Sequence, residues 1–284
     1  MITLAIQKSG RLSDKTLQLL KECGITIENG GSSKLKSVSR NFPIQVLYLR
    51  DDDIPECVAD AIADVGIVGE NVYREKQHPL KIMERLGFAR CRLSLAIPKN
   101  DAYSGVADLS GKSIATSYPN ILREFLSQKG VDASIHEISG SVEIAPGIGL
   151  ADAIFDIVST GSTLISNGLK EVETVMRSEA VLLSNPELDE EKSELLRQLL
   201  FRIRAVNQAR ERKYILLNVP NENIERVCAI LPGMKSPTIM PLAEEGWSSL
   251  HSVIEEDAFW ERIEELQKAG AQGILVLPIE KMIL

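Results

Sequence analysis

The chain has 284 residues, 44% of them hydrophobic and 25% charged, with a formal net charge of −8. That balance predicts a globular protein of two or three domains and excludes a disordered chain, a collagen-like fibre and a small disulfide scaffold. It also argues against bulk electrostatic binding of nucleic acid, and 5% aromatic residues are too few for base stacking.

Residues 2–6 form a compact apolar run that reads as a strand. A turn at 7–11 leads from it into a helical pattern with Leu12, Thr16, Leu19 and Leu20 on one face, stopped by Gly24. Residues 44–49 predict a second strand. Asp51, Asp52 and Asp53 then open a helix, where carboxylates suit the positive end of the helix dipole. Residues 65–69 predict a short buried strand followed directly by Glu70 and Asn71, and 92–97 and 113–116 repeat the strand pattern. This alternation predicts α/β layers with mostly parallel strands.

Residues 185–206 predict one long helix. Asn185 and Pro186 start it, and Leu195, Leu196, Leu199, Leu200, Ile203 and Val206 form its apolar face. From residue 214 the order becomes strand (214–219), helix (222–231, ended by Pro232 and Gly233), strands (238–242 and 249–254), helix (257–269, stopped by Gly270) and strand (274–277). This β-α-β-β-α-β order is the ferredoxin-like split motif. The polar stretch at 207–213 predicts a domain boundary ahead of it.

No run approaches the ~20 apolar residues of a membrane helix, and the N-terminus lacks the pattern of a signal peptide, so no membrane and a cytoplasmic location are expected. Cys23, Cys57, Cys91 and Cys228 form no CxxC pair, and His78, His136 and His251 lie far apart. Reduced structural cysteines are the expectation, with neither a zinc nor a thiol-nucleophile signature.

The segment 152–164 is the most informative. A short apolar strand carrying Asp156 runs through Ile157 and Val158 into Ser159, Thr160, Gly161, Ser162 and Thr163, then into a helix start. Such a turn offers N–H groups and hydroxyls to a phosphate at the positive end of a helix. It lacks the Gly-Lys-Ser/Thr ending of a Walker A loop, and taken alone such a turn is more often a helix cap than a ligand site. Similar turns stand at 139–143 and at 8–11, where Lys8 and Arg11 flank Gly10. In open α/β sheets ligands sit beyond the carboxyl ends of strands, so the three turns together point to a cleft for a polyphosphorylated ligand.

These motifs, in this order, resemble those of the long-form ATP phosphoribosyltransferases. The resemblance rests on QKSGRLSD (7–14), LRDDDIP (49–55), GIVGENV (66–72), CRLSLAIP (91–98), GKSIATSYP (111–119), GSVEIAP (140–146) and GLADAIFDIVSTGSTL (149–164). It continues through QARERKYI (208–215), LPGMKSPTIMPLA (231–243) and ILVLPIEKM (274–282). It implies transfer of the phosphoribosyl group of phosphoribosyl pyrophosphate (PRPP) to N1 of the adenine of ATP, with Mg2+ present and pyrophosphate released. The implied fold is α/β, with two periplasmic-binding-protein-like lobes plus a C-terminal ferredoxin-like (ACT-like) βαββαβ domain. Residues 1–90 would form lobe I, completed by about 183–207, residues 91–182 lobe II, and 208–284 the regulatory domain. The resemblance further implies histidine as allosteric inhibitor, homo-oligomers (dimers and hexamers) and no separate regulatory subunit.

On the same resemblance Asp156, Ile157, Val158, Ser159, Thr160, Gly161, Ser162 and Thr163 hold PRPP, with Asp156 facing the ribose hydroxyls or the charge developing at the anomeric carbon. Lys8, Gly10, Arg11, Arg50, Glu70, Tyr118 and Glu143 are candidates for ATP or pyrophosphate, although exposed cations are also ordinary surface residues and Tyr118 equally suits packing beside Pro119. Asn218, Ser236, Thr238 and Ala271 are the candidates for the histidine effector, with Asn218 standing where relatives can carry an acid. No protein ligand for magnesium is assigned; Asp51, Asp52 and Asp53 point different ways on a helix start, and substrate phosphates are expected to hold the ion. No side chain stands out as acid, base or nucleophile, so positioning and charge stabilisation are the expected catalytic means. A non-catalytic sensor on the same two lobes is the alternative.

Overall fold

The structure, a computed structural model, describes residues 1–28, 35–231, 233 and 236–284. In chain order the elements are β1 (Ile2–Gln7), α1 (Arg11–Glu22), β2 (Lys36–Val38), β3 (Ile44–Leu49), α2 (Ile54–Ala59), β4 (Val65–Gly69), α3 (Glu70–Lys76) and β5 (Lys81–Arg85). There follow β6 (Cys91–Pro98), β7 (Ser113–Thr116), α4 (Pro119–Lys129), β8 (Ser134–Glu137), β9 (Ala153–Val158), α5 (Ser162–Ser166), β10 (Leu169–Ser178), β11 (Ala180–Ser184) and α6 (Glu190–Arg210). The last elements are β12 (Arg212–Pro220), α7 (Ile224–Ile230), β13 (Thr238–Pro241), β14 (Trp247–Glu255), α8 (Glu256–Lys268) and β15 (Gln272–Pro278).

The chain divides into two compact units, Met1–Arg197 and Gln198–Leu284. The first holds two sheets, ordered β2-β3-β1-β4-β11-β5 and β10-β6-β9-β7-β8. Each has a parallel core of three strands, β3-β1-β4 and β9-β7-β8. The flanking strands β2, β5, β6, β10 and β11 each pair antiparallel with their neighbours, so β2, β6 and β11 run against the core and β5 and β10 run with it. The expectation of mostly parallel strands is therefore corrected: the sheets are mixed, because the chain crosses twice between them and its returning strands run against the core. The crossings are the 86–90 segment and Glu179, and they lie side by side. Leu86 donates to the Ala180 carbonyl at 2.9 Å, and Ala180 donates to that of Phe88 at 2.9 Å.

Apolar side chains at alternate strand positions bury against the helices. Leu93, Leu95, Ile114 and Phe155 meet Leu122 and Leu126 of α4, whereas Ala96, Ile154 and Val158 meet Val142 and Leu164 on the opposite face. Ala5, Val68, Val181 and Leu183 meet Ile54 and Val58 of α2. Gly24 stops α1 where expected, at φ +73°, a left-handed conformation that costs a glycine little.

The expected helix from Asn185 starts later, at Glu190. Asn185 is buried, donates to the carbonyl of Val58 at 2.8 Å and accepts from Glu187 N–H at 2.8 Å, so it fastens the returning chain instead of capping. Asp189 accepts the Lys192 N–H at 2.7 Å and so provides the cap. The helix continues through residue 210, taking in most of the polar stretch expected as a boundary.

The second unit carries an antiparallel sheet ordered β13-β14-β12-β15. Renumbered within the motif this is 2-3-1-4, the order that a βαββαβ chain must adopt when each helix lies on one face. Ile215, Leu217, Val219 and Leu250 bury against Val227 of α7 and Phe259 and Leu266 of α8. Gly270 follows α8 at φ +95°. Pro232, expected to stop α7, lies outside the described residues, as do parts of the 231–243 motif.

Candidate active site

The turns named from the sequence stand at the carboxyl ends of parallel strands. After β1, Lys8 and Arg11 are exposed, and the Lys8 N–H donates to the Leu49 carbonyl at 2.8 Å, bringing this turn against the end of β3 and Arg50. Gly10 has φ +97° and its carbonyl accepts the Asp14 N–H, the first bond of α1. Among the described residues Lys8, Arg11 and Arg50 make no ion pair. Charges left unneutralised at a strand-end rim can serve anions.

In the other sheet the end of β9 carries Asp156, half-buried, with Ile157 exposed and Val158 in the core. Val158 can therefore offer a ligand only its backbone. Gly161 turns the chain at φ +82°, and Ser162 opens α5. Thr160 and Ser162 hydroxyls lie 3.0 Å apart, and the side chains of Ser159, Thr160, Ser162 and Thr163 are exposed. Burial pushes the Asp156 carboxyl up to about 6, with the nearby Glu143 charge adding to the rise and the Ile157 N–H opposing it. Glu143 lies in the turn Val142–Ile144, reached through Ser141 at φ +53°.

Tyr118 joins the lobes. Its hydroxyl accepts from Asn71 Nδ2 at 3.1 Å, while Asn71 in turn receives the Ser178 hydroxyl at 2.9 Å. Burial raises the phenol first, and the charges of Asp156, Asp51 and Asp52 raise it further, so it stays a neutral hydroxyl. The packing role weighed for it is met, its ring lying on the α4 core, while its hydroxyl bonds Asn71 of the other lobe. A cleft of about 510 Å³ opens beside it, lined by Asp51, Asp52, Glu75, Asn120, Ser139 and Gly140 among others. The Asp156–Thr163 turn lies outside the lining of that cleft.

Glu70 departs from its expected place. It is buried at the crossing, its N–H donates to the Glu179 carbonyl, and its carboxylate pairs with Arg85 (Nη2 at 2.8 Å) and Arg74. Burial pulls its carboxyl upward, but the bonds and charges of Arg85 and Arg74 together outweigh it and hold the group below its ordinary value. Glu70 is thus an ion-paired residue at the crossing between the sheets and not an unpaired carboxylate at a strand end.

Three residues escaped the sequence reading because their partners are far along the chain. Asn71 reaches Tyr118 and Ser178. Glu75 crosses to the other lobe, where its carboxylate accepts the Asn120 and Ile121 N–H groups at 2.9 and 3.1 Å, the first turn of α4. Arg92 forks onto Glu171 at 2.6 Å through both Nε and Nη2. The strand spacing of Arg92 and Ser94, two residues apart and so on one face, was the signal available for the last.

In the second unit Asn218 and Ala271 lie together on β12 and just ahead of β15: Asn218 is in register with Gln272, and a Cβ on Gly273 would come within 3.3 Å of its amide. Thr238 stands on β13, opposite His251 of β14, with exposed Ser236 shortly before it. β14 thus separates the two pairs of effector candidates. His251 occupies the middle, held by Tyr214 Oη at 2.8 Å and Ser249 Oγ at 3.1 Å.

Among the described residues no group of three His, Cys, Asp or Glu side chains is placed to hold a metal ion. No described helix is long and apolar enough to cross a membrane. All four cysteines are free thiols.

The two mixed sheets, crossed twice by the chain and bearing polar turns at the carboxyl ends of their parallel strands, define a two-lobed α/β protein of the periplasmic-binding-protein type, followed by a ferredoxin-like module. Sequence comparison places it more narrowly. The family model for ATP phosphoribosyltransferase matches residues 50–205, and that for the HisG C-terminal domain matches 209–281. The chain is 61% identical to an ATP phosphoribosyltransferase of Cytophaga hutchinsonii, over 100% of this chain and 99% of the relative. It is 58% identical to one of Bacteroides thetaiotaomicron over the whole of both chains. Among solved structures, the ATP phosphoribosyl transferase (HisG:HisZ) complex from Thermotoga maritima aligns with TM-score 0.63 at 30% identity, covering 72% of this chain and 97% of that one. The chain belongs to the ATP phosphoribosyltransferase family. It is a transferase of histidine biosynthesis, and the sensor alternative falls.

Proposed function

We propose that the enzyme transfers the 5-phosphoribosyl group of PRPP to N1 of the adenine of ATP, giving N1-(5-phospho-β-D-ribosyl)-ATP and pyrophosphate. The observation that carries this reading is the turn Asp156–Thr163. It sets a half-buried carboxylate beside four exposed hydroxyls and a glycine at a strand-to-helix junction. N–H groups of Thr160 to Thr163 and the hydroxyls would take the 5-phosphate. Asp156, ionised at neutral pH, would stabilise the positive charge that develops on the ribose as pyrophosphate departs. Lys8, Arg11 and Arg50 would take the phosphates of ATP or the leaving pyrophosphate, and neutral Tyr118 would orient substrate by hydrogen bonding. Magnesium would accompany the substrate polyphosphates.

Histidine would act as inhibitor through the second unit, with Asn218, Ser236, Thr238 and Ala271 as its contacts. Exposed apolar residues on the sheet of that unit, Met240 (49%), Leu275 (56%) and Leu277 (45%), support assembly into homo-oligomers. The enzyme would act in the cytoplasm and without a separate regulatory subunit. The direct experiment mixes protein, ATP, PRPP and magnesium and follows pyrophosphate release together with the ultraviolet change of an N1-substituted adenine. Pyrophosphate release without the adenine change would refute N1 as acceptor.

A further inference from the structure

We propose that Arg92 and Glu171 form a strut that sets the conformation of the 159–163 turn, making Arg92 a positioning residue for PRPP. The inference rests on the reading of that turn as the phosphate site. Arg92 on β6 and Glu171 on β10 belong to strands adjacent in the second sheet, and β9 pairs with β6 on its other side. The guanidinium makes a two-pronged bond to Glu171, both contacts at 2.6 Å, and its third nitrogen, Nη1, donates to the Ser159 carbonyl at 3.2 Å. Ser94 Oγ donates to the same carboxylate at 2.7 Å and Thr174 Oγ1 at 3.3 Å, so Glu171 is itself held from two strands.

This geometry acts on the turn through the peptide plane. In a trans peptide the carbonyl and the following N–H point opposite ways. Tying the Ser159 oxygen to Arg92 therefore turns the Thr160 N–H away from the strand pair, and the left-handed Gly161 follows immediately. A planar guanidinium fixed at two nitrogens by one carboxylate presents the third in a set direction, which a lysine cannot do. Glu171 cancels the Arg92 charge, so the pair orders the turn without drawing phosphate by its own field. Hydrogen bonding to Arg92, the larger influence, holds the Glu171 carboxyl down at about 2, and the pair is ionised at every pH suited to assay.

Steady-state kinetics of Arg92→Gln, Arg92→Lys and Glu171→Gln test the strut, with Thr163→Ala run alongside to test the turn itself. Arg92→Gln should raise KM for PRPP about tenfold or more, while KM for ATP and kcat at saturating PRPP stay within about twofold. Arg92→Lys, which retains charge and bulk, should fold as the parent does and recover only part of the PRPP affinity. Glu171→Gln separates the strut from a simple attraction: the strut requires weaker PRPP binding, whereas an Arg92 acting by charge would bind PRPP more tightly once unneutralised. A lower KM for PRPP in Glu171→Gln overturns the proposal, as do equal changes in both substrates or no change in Arg92→Gln and Arg92→Lys. If Thr163→Ala raises KM for PRPP and the Arg92 variants do not, the strut alone is wrong. If Thr163→Ala has no effect, the phosphate reading of the turn fails and the strut fails with it.

Discussion

A buried carboxylate is costly when charged, and Asp156 shows what that cost allows. Its ordinary value is 3.8 and its value here about 6, raised chiefly by burial. Stability tied to this group is therefore fullest below pH 3.8 and is lost as pH rises through about 6. Asp156→Asn should stabilise the fold at pH 8 by roughly 2–3 kcal/mol, and the gain should vanish near pH 4, where the parent is also neutral. Thermal melts at the two pH values check this. Activity should run the other way: kcat/KM for PRPP should rise as Asp156 ionises through about pH 6, and a flat profile from pH 5 to 8 would remove it from the chemistry. Gly161 answers to a different constraint. A Cβ there would find only ordinary contact, 3.9 Å from Val158, so space is not limiting. Its φ of +82° is limiting, and Gly161→Ala should cost about 1–2 kcal/mol if the turn holds. Calorimetry should show weaker PRPP binding if the turn relaxes instead.

Among the elements, α4 depends on a residue of the other lobe. It begins with Pro119 after Tyr118, which makes no side-chain cap, and the N–H groups of Asn120 and Ile121 would be orphaned without Glu75. The Asn120 amide returns a bond to the Glu75 carbonyl at 3.0 Å. Burial raises the Glu75 carboxyl despite those two N–H groups, so charge here is partly opposed by its surroundings. Glu75→Ala should accordingly destabilise by about 1–2 kcal/mol, the usual scale of a lost cap, while Glu75→Gln, which keeps an acceptor and drops the charge, should cost much less. Denaturant midpoints of the two variants distinguish these outcomes; equal losses would mean that the charge itself is what α4 requires. The strand boundaries were legible in the amino-acid order where local pattern decides: 44–49, 65–69 and 113–116 match β3, β4 and β7. α6 was misread at its start because Asn185 looks like a cap in isolation but spends its amide on Val58, 127 residues earlier.

At the scale of the molecule, the second unit can influence catalysis only through a coupling free energy, typically about 1–3 kcal/mol, that acts equally in both directions. Thr238 is exposed on β13 and belongs to no phosphate-type turn. On the effector role proposed for this unit, Thr238→Ala should weaken inhibition by histidine and leave substrate constants without histidine unchanged. Superimposable inhibition curves would exclude Thr238 from the effector site. Local patterning by itself determined much of this protein: the alternation of apolar strands and amphipathic helices, the three Gly/Ser turns, the β-α-β-β-α-β order of the last 70 residues and the motifs that mark the family. Each depends on neighbours within a few residues, where periodicity and backbone preference act. Only the tertiary structure decided which charges were free. Glu70 and Glu143 looked alike in the sequence, yet Arg85 neutralises the first while the second raises Asp156. Arg92 finds Glu171, 79 residues away, and Asn71 finds Ser178, 107 residues away. The first pair arises from strand pairing within one sheet and the second where the chain crosses between the two sheets, and no local propensity carries that information.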